Sequence, residues 1–160
     1  MDRIVEIFNV CWPMYAAMPA ILKEAIERAY IATGWDLTLS ENKYSSDLFP
    51  SFVDVTNQVK NILLQSDYSD DNKGDYTGAL VTRLKSLSNG INGLILTNDD
   101  LPDSVLFDKN AIVDLSRIGS SETKSLIMGL LVLKLQEHRM DQRVNGSVMN
   151  SDLKHLSLIH

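Results

Sequence analysis

Apolar residues recur along this chain mostly at spacings of three and four, the pattern of amphipathic helices. Ile4, Ile7, Phe8 and Cys11 fall on one face and predict a helix over residues 1–12, which Pro13 breaks. A second helix is predicted from about Ala17 to Thr33, with Met18, Ile21, Leu22, Ala25, Ile26, Ala29 and Tyr30 as its apolar stripe. Pro19 sits in its first turn, where a missing N–H leaves no bond unmade. Lys23, Glu24, Glu27 and Arg28 form its wet face, with Glu24 and Arg28 as an i,i+4 pair. Gly34 closes it as a C-terminal cap. Trp35 to Pro50 reads as a polar loop pinned to the core by Trp35, Tyr44 and Phe49.

Ser51 with Asp54 is a capping-box pattern and opens a third helix. Phe52, Val55, Val59, Ile62 and Leu63 carry that helix to Ser66. The acidic stretch DYSDDNKGD then reads as a solvated loop. A fourth helix runs from about Asp75 to Asn89 on a seam of Tyr76, Leu80, Leu84 and Leu87, with Arg83 and Lys85 pointing away, until Asn89-Gly90 stops it.

The pattern changes after residue 93. Leu94–Leu96 reads as a short strand, TNDDLPDSV as a surface loop, and Asp103–Asp108 as one loose turn. Ala111–Leu115 is the best strand in the chain, apolar on both faces until Asp114, as in a strand covered on both sides. An SRIGSS loop leads into a fifth helix from Ser121 to about Asp141. That helix is apolar nearly all round from Leu126 to Leu133, which predicts burial from several directions. MDQRVNGSVMNSD reads as a loop, and Leu153–His160 alternates like the start of a strand.

The predicted fold is therefore α/β and predominantly helical, with about five helices and about one to three short strands. A helical, insertion-like region (1–93) precedes a strand–loop–helix–strand part (94–160) in one folded unit. So few strands cannot form a stable sheet alone. The first helical pattern also begins without a strong capping residue. The expectation is an interior slice of a larger α/β domain.

Composition narrows the classes. A length of 160 residues suits one domain, and the net charge of -6 argues against a free-standing nucleic-acid binder. Cys11 is the only cysteine, which rules out an internal disulfide and a cysteine-based metal site. The N-terminal MDRIVEIFNV is no signal peptide. The longest apolar run, Leu126–Leu133, is too short to span a bilayer. A soluble, cytoplasmic protein with no membrane contact is expected.

The SRIGSSETKS loop invites comparison with a Walker A loop, whose backbone N–H groups and lysine hold phosphates. The spacing fails: Thr123 precedes Lys124 where glycine is required, Ile118 stands where the first glycine belongs, and Gly119 comes one residue late. A helix start with a Ser/Gly turn can still face an anion. The simpler reading is that Ser120 or Ser121 caps the helix. Asp114, at the end of a buried strand, needs a partner. Proximity to a ligand and a salt bridge to a residue such as Arg117 are both open. The acidic loop lacks the alternating acids and distal glutamate of a calcium loop. His138, His155 and His160 show no ligand spacing and default to surface roles, and Cys11 reads as core. No Ser-His-Asp or Cys-His arrangement is present, so no catalytic residue is assigned.

NVCWPMYAAMPAILKEAIERAY, GALVTRLKSLSNGING and LFDKNAIVDLSRIGSSETKSLIMGLLVLKLQEHR together resemble the middle of bacterial HerA-like ATP-binding proteins, in the HerA/FtsK group of P-loop ATPases. The resemblance covers almost the whole chain in segment order, and DLSRIGSSETK is its most specific block. It implies part of a RecA-like core with a helical insertion. It also implies a parent that binds ATP and Mg and works as a hexameric motor on double-stranded DNA, in some cases beside a nuclease. The family's Walker A loop and Walker B acids have no counterpart here, so the chain alone is expected to be inactive and to hold no cofactor. The local signature falls on Asp114, Ser116, Arg117, Gly119, Glu122 and Lys124, which the resemblance places beside a nucleotide site. The alternative is a stand-alone helical protein-interaction module. A DNA-binding domain would need a basic face, and the clusters are Arg83/Lys85 and Lys134/Arg139/Arg143.

Overall fold

The structure, a computed structural model, describes residues 2–46, 48–96 and 101–144, the side chains of 141–144 excepted. Helix α1 (Asp2–Cys11) buries Val5 and Phe8, and Trp12 just beyond it. Ile4, Ile7 and Cys11 pack at the edge of the same core. The inward face is thus rotated slightly from the one the spacing suggested. Helix α2 (Met18–Ala32) lies at the centre of the body, with Met18, Ile21, Leu22, Ala25, Ile26 and Ala29 all buried. Its wet face carries the expected Glu24–Arg28 pair at 2.7 Å, and Lys23 reaches back to Asp2 of α1 at 2.6 Å.

Gly34 ends α2 at a φ of +102°, a region that side-chain-bearing residues rarely occupy. The chain then forms a two-residue antiparallel hairpin, β1 (Trp35–Asp36) with β2 (Glu41–Asn42), paired Trp35 to Asn42 and Asp36 to Glu41. Asp36 accepts the amides of Thr38 and Leu39 at 2.8 and 3.1 Å and so shapes the tip. The expected anchors hold the rest of this loop. The Trp35 indole N–H donates to the Leu48 carbonyl at 2.6 Å, and its ring stacks on Phe49 at 5.2 Å between centroids. Tyr44 lays its ring over Gly34, although most of that ring faces solvent.

Helix α3 (Phe52–Gln65) starts at the predicted capping box. The Asp54 amide donates to Ser51 Oγ at 3.3 Å, while the Ser51 amide donates to Asp54 Oδ2 at 2.8 Å. It buries Val55, Thr56, Val59, Ile62 and Leu63, and its pairing with α2 is the most extensive between elements. The acidic stretch that follows is helical where a loop was expected. Ser69 caps α4 (Asp70–Tyr76), whose acidic first turn complements the positive end of the helix and lets charged residues stand in water. One wide π-type turn (Thr77–Val81) joins α4 to α5 (Thr82–Ser88), so the predicted fourth helix is continuous but not uniform. The seam of Tyr76, Leu80, Leu84 and Leu87 is buried as its spacing implied, and the wide turn also brings Val81 inward.

The second half departs most from expectation. Leu94–Leu96, read as a strand, lies in and just after a helical turn, α6 (Gly90–Ile95). The loose turn at Asp103 is present as α7 (Asp103–Phe107). Ala111–Leu115 forms no strand. Its residues follow one another without regular structure, and Ile112 is 97% exposed. A β-branched run becomes a strand only when another strand offers the matching hydrogen bonds. Among the described residues the sheet is the hairpin alone, and no RecA-like parallel sheet is formed.

Helix α8 (Ser121–Val144) is present over its predicted length. Its burial differs. Leu126, Ile127 and Leu133 face inward, but Met128 is 57% and Val132 66% exposed, so one side is covered rather than several. It packs mainly along α1. Gly129 permits that approach, since a Cβ there would stand 2.7 Å from Ile7 Cγ2. The loop predicted over residues 140–152 is overturned in its first part, since α8 continues to Val144 where the chain keeps its helical hydrogen bonding; its remainder and the predicted terminal strand at Leu153–His160 lie outside the described residues.

Replacing Leu84, which is fully buried at the α3 contact, by alanine should cost about 2–5 kcal/mol in urea unfolding. Gly34→Ala should cost about 1–3 kcal/mol through backbone strain and the Tyr44 ring above it. Ser51→Ala should remove about 1 kcal/mol. Circular dichroism should show an unchanged helical fold in all three.

Candidate functional site

The corner between Asp114 and Lys124 is held by two buried residues. Ile118 is 2% and Thr123 4% exposed, while Gly119, Ser120 and Glu122 remain in solvent. The two residues that break the phosphate-loop spacing are therefore the residues that anchor the loop. A tight turn precedes it, in which the Ile118 amide donates to the Leu115 carbonyl at 3.2 Å.

Asp114 is exposed and closes its own local ring. Its Oδ1 accepts the Ser116 amide at 2.8 Å, the Asx arrangement that stabilises a turn. The Ser116 backbone and hydroxyl hold its carboxyl below the usual carboxylate range, with the Lys124 charge adding to the effect. The expectation of a buried strand-end carboxylate in need of a partner is overturned, because the strand itself is absent. The partner found is Ser116, with Lys124 nearby.

The start of α8 is satisfied in the same local way. Ser120 Oγ accepts the Thr123 amide at 3.2 Å and donates to Glu122 Oε2 at 2.6 Å. Ser121 is 3.4 Å from the same oxygen. Ser120 is thus the helix cap, and Thr123 is buried behind it. These hydroxyls draw the Glu122 carboxyl down from its ordinary value, Ser120 first, with a smaller pull from the Arg83 charge. Arg83, expected to point away, donates to the Pro13 carbonyl at 3.3 Å. The positive end of α8 already faces the carboxylate of Glu122, which leaves it poorly suited to a second anion.

The structure joins Asp114 to Ser116 and the Lys124 charge, and Glu122 to Ser120 and Ser121, while Arg117 and Gly119 are exposed in the loop between. The arrangement can shape a turn and cap a helix. No group of side chains among the described residues could hold a metal ion, and no helix among them is long and apolar enough to cross a membrane.

A second polar constellation has no signal in the spacing of either segment. His138 of α8 is 14% exposed at its side chain and lies between two carboxylates of the α7 region. Its Nε2 is 3.1 and 3.2 Å from the two oxygens of Asp108, and its Nδ1 is 3.6 Å from Asp103. Lys134 meets Asp103 at 3.2 Å, and Arg139 donates to the Phe107 carbonyl at 3.2 Å. The default surface role for His138 is replaced by a clasp. Lys134 and Arg139, two members of the proposed basic cluster, are matched by acids. His155 and His160 lie outside the described residues. Cys11 is at the core margin, and partial burial raises its thiol.

The chain matches no family model, no curated protein and no solved structure in the comparisons made.

The Asp114 and Glu122 carboxyls titrate below their ordinary values in the folded chain, so each contributes stability that is complete above the unfolded value. That contribution is lost as pH falls through the folded value, which lies under the ordinary ~3.9 for Asp and ~4.3 for Glu. Protection of the Thr123 amide, its exchange rate relative to the intrinsic rate at each pH, should therefore be unchanged from neutral pH down to mild acid and should fall only below that range. Ser120→Ala should expose the same amide at every pH and remove about 1 kcal/mol.

Proposed function

We propose that this chain is a helical, docking part of a HerA-like ATP-driven machine, in which nucleotide chemistry is carried outside these residues. The observation that carries the reading is the outer face of α8. Met128 and Val132 are one turn apart, half-exposed Leu131 and Leu135 flank them, and Ile112 and Val113 lie exposed in the loop before the helix. Apolar side chains at this density on one helix face favour a second surface over water. The resemblance of DLSRIGSSETK and its neighbouring segments supplies the partner: the ATPase core of such a machine. The self-satisfied corner at Asp114 and Glu122 supports a structural role for that block. Under this reading ATP, Mg, hexamer formation, double-stranded DNA and an accompanying nuclease belong to the assembled machine.

A second reading, a stand-alone helical interaction module, is favoured by a different observation. Met18, Leu22, Val59, Leu80, Leu84 and Leu87 are fully buried without α8's outer face, so the α2–α3–α5 body needs no further layer. Under both readings α8 docks, and they differ in what it docks on.

Calorimetric titration of the chain with Mg-ATP should show no binding, and phosphate release should stay at background. Tight binding with turnover overturns the proposal. Light scattering should find the wild type associating as its concentration rises, and Met128→Glu/Val132→Glu remaining monomeric with the same helical dichroism. A wild type that stays monomeric and melts cooperatively favours the stand-alone module.

A further inference from the structure

We propose that α7 is a strap latched onto α8 by charge, and that ionic strength governs its release. A helix of five residues is far below the ~12–15 needed to persist alone in water. Its order must come from tertiary contact. None of its residues is fully buried; Leu106 and Phe107 are partly covered and Val105 is 37% exposed. The polar contacts are denser. Asp103 opens α7 and Asp108 follows its last residue, so an acid stands at each end of the turn. On α8, Lys134 and His138 lie one turn apart, with Arg139 next to His138, and all three meet the α7 region.

Lys134 and the His138 Nδ1 edge take Asp103, at 3.2 and 3.6 Å. The His138 Nε2 edge and Arg139 take Asp108, at 3.1 and 3.8 Å. Arg139 also holds the Phe107 carbonyl, and the Phe107 ring lies 5.7 Å from the imidazole. The Asp103 and Asp108 side chains are each more than a third exposed, so dissolved ions reach them. This separates the latch from the dry core under α2. The far end of the strap is held differently, by buried Ile118. Between the two anchors lie Ile112 and Val113. Opening the latch frees the stretch that carries them, while the helical body stays folded.

Hydrogen exchange of the whole chain, followed by NMR, tests this. The reporters are the Val105, Leu106 and Asp108 amides, which bond to the Pro102 and Ser104 carbonyls. Their protection should fall at least about threefold between ~0.1 M and ~1 M salt, as the screening length drops from ~10 to ~3 Å. Asp103→Asn/Asp108→Asn should show the low protection at both salt concentrations. The Leu22 and Leu84 amides should not change in either arm, which separates release of the strap from unfolding. Protection at α7 that is indifferent to salt in the wild type overturns the proposal and assigns its order to the Leu106 and Phe107 contacts. Should the double variant fold poorly, the salt series on the wild type decides alone.

Discussion

The structure depends on the burial of α2. Six of its fifteen residues are removed from water, and two of these, Ala25 and Ala29, present almost no side chain. Its pairing with α3 is the most extensive between elements, and Val55, Val59 and Ile62 of α3 are buried in the same core. Each large side chain sealed there stabilises the fold by about 1.5–3 kcal/mol. The remaining elements are placed by what this pair leaves open. The α4–α5 rod, with its wide turn, closes one side of α3 and α1 closes α2, while α8 reaches the body chiefly through α1.

That order of attachment explains why the two halves behave differently. The buried apolar residues of the first half share one core, which Leu126 of α8 joins. The rest of the second half is held by the buried Ile118, Ile127 and Leu133 and by the clasp between α7 and α8. Ile112, Val113, Met128 and Val132 of this second half remain exposed, as do Val10, Leu39 and Leu64 of the first. A surface of this kind is consistent with the proposed docking role.

The local features of the first half were legible because their causes are local. The Ser51–Asp54 capping box, the Glu24–Arg28 pair and the Gly34 terminus each involve residues within four positions of one another. The seam of Tyr76, Leu80, Leu84 and Leu87 follows from periodicity alone. Ser120 as a cap belongs to the same class. The acidic stretch at Ser69–Asp75 was misread because its composition is that of a loop, while a capping serine and acids in the first turn allow a helix.

The sequence by itself determined where α2, α3 and α8 begin and where α1, α2, α3 and α5 end, since capping, helical periodicity and chain-breaking act over a few residues. Only the tertiary structure decided which apolar runs are covered. Ala111–Leu115 carries strand-forming residues, yet a strand exists only by pairing, and no strand lies beside it among the described residues. Leu126–Leu133 is apolar on every side, yet α1 covers one side of it. The Asp103–Lys134 and Asp108–His138 contacts link positions about thirty residues apart, where no spacing rule applies. Burial and ion pairing are properties of what a side chain meets, and the fold alone supplies the neighbour.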